Sequence, residues 1–267
     1  VKTCRAIFAV FRFEWKRSLT IARIAWWFAL AAFVPALVLL IQLTVSEEVE
    51  DEFWIGFLYA MIPCVVCMMG VFLWATPAVA TELESRSWTY LAVRPQGPAA
   101  IVIGKFLVAI SWTVLAAWLG LTVAILLIRP EYSVRIGSVL AILSLLSCIS
   151  YAGIYSLIGV VFPKRGMVIA VAYSLLVEVL LAFIPAVINR LTLQLRLRSL
   201  LVTWMDWEEN FSALGGSGGP DTATLLYNGA PAWQHLLVLA GATIGALWLA
   251  IQVLRWREFT TAGDSPL

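Results

Sequence analysis

The sequence predicts an all-α membrane protein with six transmembrane helices, and three observations carry that expectation. Of 267 residues, 62% are hydrophobic and only 13% are charged, with a mean hydropathy of +0.92. A soluble domain carries about a quarter charged residues; too few are present here to coat a soluble core. Second, apolar runs of about 20 residues, long enough to cross the roughly 30 Å hydrocarbon layer, recur along the chain. Third, Lys and Arg concentrate in alternate connecting segments, the pattern of a chain that weaves across a bilayer.

Six segments meet the length test: about Ile24 to Leu43, Trp54 to Pro77, Val102 to Ile128, Ile136 to Phe162, Met167 to Asn189 and Trp233 to Leu254. The third and fourth are long enough to tilt or protrude. The basic start runs into a full-length apolar segment and not into a short one with a small-residue cleavage site, so it is expected to be a span and not a cleaved signal. Pro35, Pro63 and Pro185 are expected to kink their helices, which membrane helices tolerate. Gly153 and Gly159 suit close helix packing, although they are not at the four-residue spacing.

Charge sets the orientation. Lys2, Arg5, Arg12, Lys16, Arg17 and Arg23 precede or open the first span, whereas the segment after it holds Glu47, Glu48, Glu50, Asp51 and Glu52 and no base. The N-terminus is therefore expected inside. Alternation from there puts thirteen of the eighteen basic residues on the cytoplasmic side, with Arg129, Arg135, Arg190, Arg196 and Arg198 outside. An odd number of spans would move Arg255 and Arg257 outside and weaken the bias. Trp26 and Trp27 at the inner end of span one, and Trp54 and Trp233 at outer ends, fall where indole rings anchor.

Residues 1–20 place Ile7, Phe8, Phe11, Trp15 and Leu19 near one helical face, with Arg5, Arg12, Lys16 and Arg17 over much of the remainder. This pattern predicts an amphipathic helix in the cytoplasmic interface, held by apolar burial and anionic headgroups. It serves either as an anchor or as a docking element for a cytoplasmic partner. Between spans two and three, Glu82, Glu84 and Arg86 interrupt the apolar composition, and Ser87 to Val93 suits a short helix that ends before Arg94-Pro95. Gly97-Pro98 is a further break. The outer connection, residues 190–232, opens with a leucine-rich stretch carrying Arg196 and Arg198, then turns acidic and glycine-rich. An interfacial or partly re-entrant element is expected there, and a full seventh span is not. Glu178 is the one acid well inside a predicted span. A carboxylate in hydrocarbon must face protein, water or a partner subunit, or be protonated, so it is either a path residue or a hydrogen-bonded packing residue.

Several chemistries lack their residues. His235 stands alone, so paired haem ligation cannot be built, and its place at the end of span six suggests an interfacial histidine. Cys64 and Cys67 lie within a span, where small apolar packing suits them better than a four-ligand zinc site or an exposed redox pair. The sequence holds no phosphate-binding GxxxxGK[ST] loop and no serine–histidine pair. No catalytic, cofactor-binding or metal residues are therefore assigned, and no nucleic-acid partner is expected.

The basic amphipathic start, the six spans and the segment ELESRSWTYLAVRPQGPAAIVIGKFL together resemble the membrane-spanning permease subunit of ABC-2 type transporters. The likeness is to the short bacterial form whose ATP-binding subunit is encoded separately. The matching steps are Glu82 and Glu84, Ser87 to Thr89, Tyr90 to Val93, Arg94-Pro95 and Gly104-Lys105. Arg86-Ser87-Trp88 stands where a glycine is usual. The resemblance implies an ABC-2, type V exporter-like, permease fold with no catalytic site of its own. It implies an ATP-binding cassette partner that carries ATP and Mg, a permease homodimer or heterodimer, and a surround of membrane lipid. The location it implies is the bacterial cytoplasmic (inner) membrane, with both termini cytoplasmic. Residues 82–98 would form the coupling helix, with Glu82, Glu84, Arg86, Trp88, Arg94 and Pro95 meeting the ATPase. Arg5, Phe8, Phe11, Arg12, Trp15 and Lys16 of the interfacial helix would assist. The cargo so implied is amphipathic or lipid-like, exported by alternating access. Glu178 belongs to no family motif. The alternative is a membrane scaffold or biogenesis factor that recruits cytoplasmic proteins without transport.

Overall fold

The computed structural model describes residues 2–45, 50–78, 97–180, 192–207 and 229–256. All regular structure among them is helical. Helix α1 is Lys2–Ser18 and α2 is Ile21–Thr44. Helix α3, Asp51–Tyr59, continues through a π-helical stretch, Ala60–Val66, into α4, Cys67–Ala75, and a 3₁₀ turn, Thr76–Ala78. Then come α5, Gly97–Ile128, and α6, Ser133–Val161. Helix α7, Gly166–Tyr173, passes into a second π-helical stretch, Ser174–Leu180. Helix α8 is Leu193–Trp204 and α9 is Ala232–Trp256.

Five of these stretches are long and apolar enough to cross a bilayer: α2, the run Asp51–Ala78, α5, α6 and α9. The architecture is that of a multi-pass helical membrane protein. The shorter apolar run Gly166–Glu178 opens the predicted fifth span. The remainder of that span, Pro185 included, lies outside the described residues.

Contacts fix the direction of each helix. Trp27 Nε1 donates to the Trp112 carbonyl at 2.9 Å and Gln42 Nε2 to the Leu127 carbonyl at 3.3 Å, so α2 and α5 run parallel. Gly70 packs on Thr113 and Ala78 meets Lys105, so α4 runs against α5. Trp118 Nε1 donates to the Ala141 carbonyl and to Ser144 Oγ, each at 3.1 Å, while Gly137 faces Ile125, so α6 runs against α5 as well. Tyr155 meets Ser174 and Tyr151 meets Glu178, so α7 and its π continuation run against α6. Gly153 packs on Thr243, and Val160 clusters with Ala250 and Leu254, so α9 runs parallel to α6. Successive long segments therefore alternate in direction. The start of α2 and the end of α9 lie at one end of the bundle, called here the α1 end.

Helix α6 is the central post: 61% of its apolar window is buried within the protein, against 22% for α2 and for α9. Close approach explains part of that. A Cβ at Gly159 would fall against the Thr76 carbonyl, so only glycine lets α6 meet the 3₁₀ turn. Pro63 lies in the first π stretch. It has no N–H to continue the ladder, and the widened turn absorbs the loss. Its own carbonyl accepts from Ser147 Oγ at 2.6 Å, which ties the stretch to α6.

Helix α8 begins partway along the bundle and runs to the far end. Its last turn meets Arg135 near the start of α6, where the guanidinium donates to the Trp204 carbonyl and pairs with Asp206. Its first residues reach the level of Tyr151, about 27 Å along α6 from Ser133 at 1.5 Å per residue. Leu193, Leu195, Leu197, Leu200 and Leu201 are all buried, as a helix enclosed by protein requires.

Candidate functional site at the base of residues 79–96

Residues 79–96 hold the predicted coupling residues Glu82, Glu84, Arg86, Trp88, Arg94 and Pro95, and lie outside the described residues. What is described is the base from which that segment departs and to which it returns. Ala78 ends the 3₁₀ turn on one side and Gly97 opens α5 on the other. Two turns into α5, Lys105 donates from Nζ to the Ala78 carbonyl at 2.8 Å and lies 3.6 Å from Glu14 Oε1 of α1. Arg17 Nη1 is 3.8 Å from the same carboxylate oxygen. Lys105 is 8% exposed and Glu14 14%, so water screens this pair far less than a surface pair. An ammonium so enclosed requires a counter-charge and an acceptor, and it has both. Lys105 thus ties the residue before the 79–96 segment to α5 and to α1.

The glycine before that lysine has its own task. A Cβ on Gly104 would lie 2.7 Å from Val10 Cγ1 and 3.4 Å from the Phe11 amide nitrogen, so the bare backbone lets α1 settle on α5. Above this contact, aromatic rings lock the joint. Phe8, Phe11 and Trp15 stack along α1 with centroids 6.4 and 5.8 Å apart, and Trp15 stacks on Trp112 at 4.9 Å. Trp112 also stacks on Trp74 of α4 at 5.6 Å and meets Trp27 of α2 edge-on at 6.2 Å. Its Nε1 donates to Ser18 Oγ at 2.7 Å, which in turn donates to the Trp15 carbonyl. Four elements therefore share one indole. Arg5, Arg12 and Lys16 point away from it and are exposed. No family model matches this chain, and no curated protein matches it.

Of the predicted α1 residues, the structure brings Trp15 to this node directly and Phe11 and Phe8 through the stack. Glu14, Ser18, Trp74 and Trp112 are the functional candidates that sequence reading missed. Glu14 left a signal, being the lone acid among residues 1–20.

Glu178 forms a second polar centre, deeper in the bundle. It is 2% exposed and receives four donors. Tyr173 OH lies 2.9 Å from Oε1 and Tyr151 OH 3.1 Å from Oε2. The amides of Leu193 and Gln194, the first turn of α8, lie at 3.4 and 3.2 Å. A helix N-terminus presents unsatisfied N–H groups and a partial positive charge, and a carboxylate answers both. Thr192 completes the cap by accepting from the Leu195 amide at 3.3 Å. Gln194 is held further by Cys64 Sγ, which donates to its Oε1 at 2.7 Å, and by Tyr59 OH, which donates to its carbonyl at 3.3 Å. Cys64 is thus a hydrogen-bonding residue as well as a packing one. His235, expected at an interface, is buried against α8, with Nδ1 3.4 Å from Arg196 Nη1. Among the described residues no three of His, Cys, Asp and Glu gather as a metal site would require.

Proposed function

We propose that this chain is the permease subunit of an ATP-driven transporter, with six spans, both ends in the cytoplasm and the α1 end facing a separate ATPase. The observation that supports this most is the Lys105 node. It joins α1, the end of α4 and the start of α5 at the foot of residues 79–96, the segment that resembles a coupling helix. A displacement of that segment by the partner reaches α5 through Ala78 and Lys105 and reaches α1 through Glu14. The bundle above is suited to move as packed helices about α6, while Glu178 keeps α8 seated. Two such subunits would enclose the path, and the cargo would be amphipathic or lipid-like.

The test is charge reversal in the segment itself. Glu82→Lys or Glu84→Lys should lower partner assembly or permease-dependent ATP hydrolysis in proteoliposomes. Unchanged assembly and unchanged hydrolysis in both variants would remove the coupling role.

A further inference from the structure

Beside the node, a cavity of about 200 Å³ opens between α1, α2, α4 and α5. Its lining is graded along the bundle axis. On α2, Arg23 lies nearest the α1 end, followed by Trp26 and then Leu30; Ala78 and Pro77 of the 3₁₀ turn lie at that end, and Leu73 of α4 lies deeper. On α5 the same order runs from Lys105 to Val108 and Ala109. Glu14, Lys105 and Arg23 thus line the part of the cavity toward the α1 end, and Leu73 and Leu30 lie deeper. The grading matches an amphiphile that stands along the bundle axis with its charged end toward α1.

The sign of that charged end follows from the side chains. Lys105 and Arg17 both face the Glu14 carboxylate. Arg23 lies over the Trp74 ring at 5.1 Å and, among the described residues, has no carboxylate against it. Arg23 therefore offers the lining a planar guanidinium suited to a phosphate oxygen pair. The volume is several times the ~30 Å³ share of one water and far too small for two acyl chains. The chains must lie outside, along the exposed apolar flank that Trp26, 65% exposed, and Leu73, 37% exposed, provide.

We infer that this cavity binds the phosphate-bearing headgroup of one phospholipid from the leaflet at the α1 end, with Arg23 as the phosphate ligand. The site ties lipid to the same joint that α1 makes with α5, since Trp74 stacks on Trp112. The inference rests on the membrane-spanning reading of the bundle and not on ATP-driven transport. Loss of lipid binding and loss of ATPase coupling are separable results.

The experiment uses the full chain in detergent, with phosphatidylglycerol as the probe and native mass spectrometry as the readout. The wild type should retain one tightly held lipid, and Arg23→Gln should weaken that binding by about tenfold or more, as expected for a lost charge-assisted hydrogen-bond pair. Arg23→Lys should restore part of it, because the charge returns without the fork. Lys164→Gln, which removes an exposed cation just beyond α6 and outside the cavity lining, should leave it within about twofold, the range of a screened surface charge. Equal losses in the Lys164 and Arg23 variants would mean diffuse attraction and overturn the site. So would unchanged binding in Arg23→Gln, or diacylglycerol held as tightly as phosphatidylglycerol. Displacement of the lipid by equimolar inorganic phosphate would show a free-anion site and overturn the lipid assignment.

Discussion

Lys105 and Glu14 face each other at 3.6 Å across the contact between α1 and α5, and the same ammonium donates to the Ala78 carbonyl. Removing one partner of an enclosed pair leaves the other charge poorly compensated. Glu14→Gln is expected to lower stability by about 1–3 kcal/mol. In the double variant with Lys105→Met, part of that loss should return, because removing both charges leaves no ammonium stranded. Thermal unfolding of the four proteins in one detergent gives the cycle. Strictly additive losses would mean that the two residues do not interact.

Gly159 meets the Thr76 carbonyl too closely for any side chain. Gly159→Ala should push α6 from the 3₁₀ turn and destabilise the protein by about 1–3 kcal/mol, the range of overpacking. Gly241→Ala, where a Cβ meets nothing within 4 Å, is the matched control and should be near neutral. Melting temperatures of both variants check this, and equal shifts would count against the packing account.

Glu178 joins the first turn of α8 to Tyr151 and Tyr173. Glu178→Leu strands two phenol groups and two amides in an apolar interior, so a loss of several kcal/mol is expected, at about 1–3 kcal/mol per buried unsatisfied group. Tyr173→Phe, which removes a single donor, should cost about 1 kcal/mol. Protease cleavage within α8 should rise in Glu178→Leu and stay low in Tyr173→Phe. Cleavage unchanged in the glutamate variant would mean that α8 is seated by its leucines alone.

The native cysteines test orientation without mutation. Cys4 is exposed on α1, Cys67 and Cys148 are buried, and the Cys64 thiol is hydrogen-bonded to Gln194. A membrane-impermeant maleimide should label one site, Cys4, in inside-out vesicles and none in right-side-out vesicles. The reverse pattern would place the α1 end outside and remove the proposed meeting with an ATPase.

The all-α class and the long apolar helices were legible because hydrocarbon-facing segments need unbroken apolar runs, and α2 and α9 leave most of their surface outward. The polar centres were far less legible. Trp112 reads locally as one more apolar residue of α5, and only packing shows that it meets Trp15, Trp27 and Trp74 from three other helices. Glu178 stood out by burial, but its partners are a helix start fifteen residues on and a tyrosine on α6, which no local pattern links. Helix α8 was legible as a leucine-rich element, while its depth depends on Glu178 and Gln194. Gly104-Lys105 entered through a resemblance. Its physical reason, a bare backbone for α1 and an ammonium for Ala78 and Glu14, came from the fold.

The central claim is a motor partner, and native copurification tests it most directly. The chain, tagged and extracted from its own membranes in mild detergent, should bring down a protein with a phosphate-binding loop that hydrolyses ATP. Lys105→Met should uncouple that hydrolysis from the permease while the partner stays bound. Recovery of the intact bundle with no nucleotide-binding protein, across detergents that keep it folded, would contradict the account.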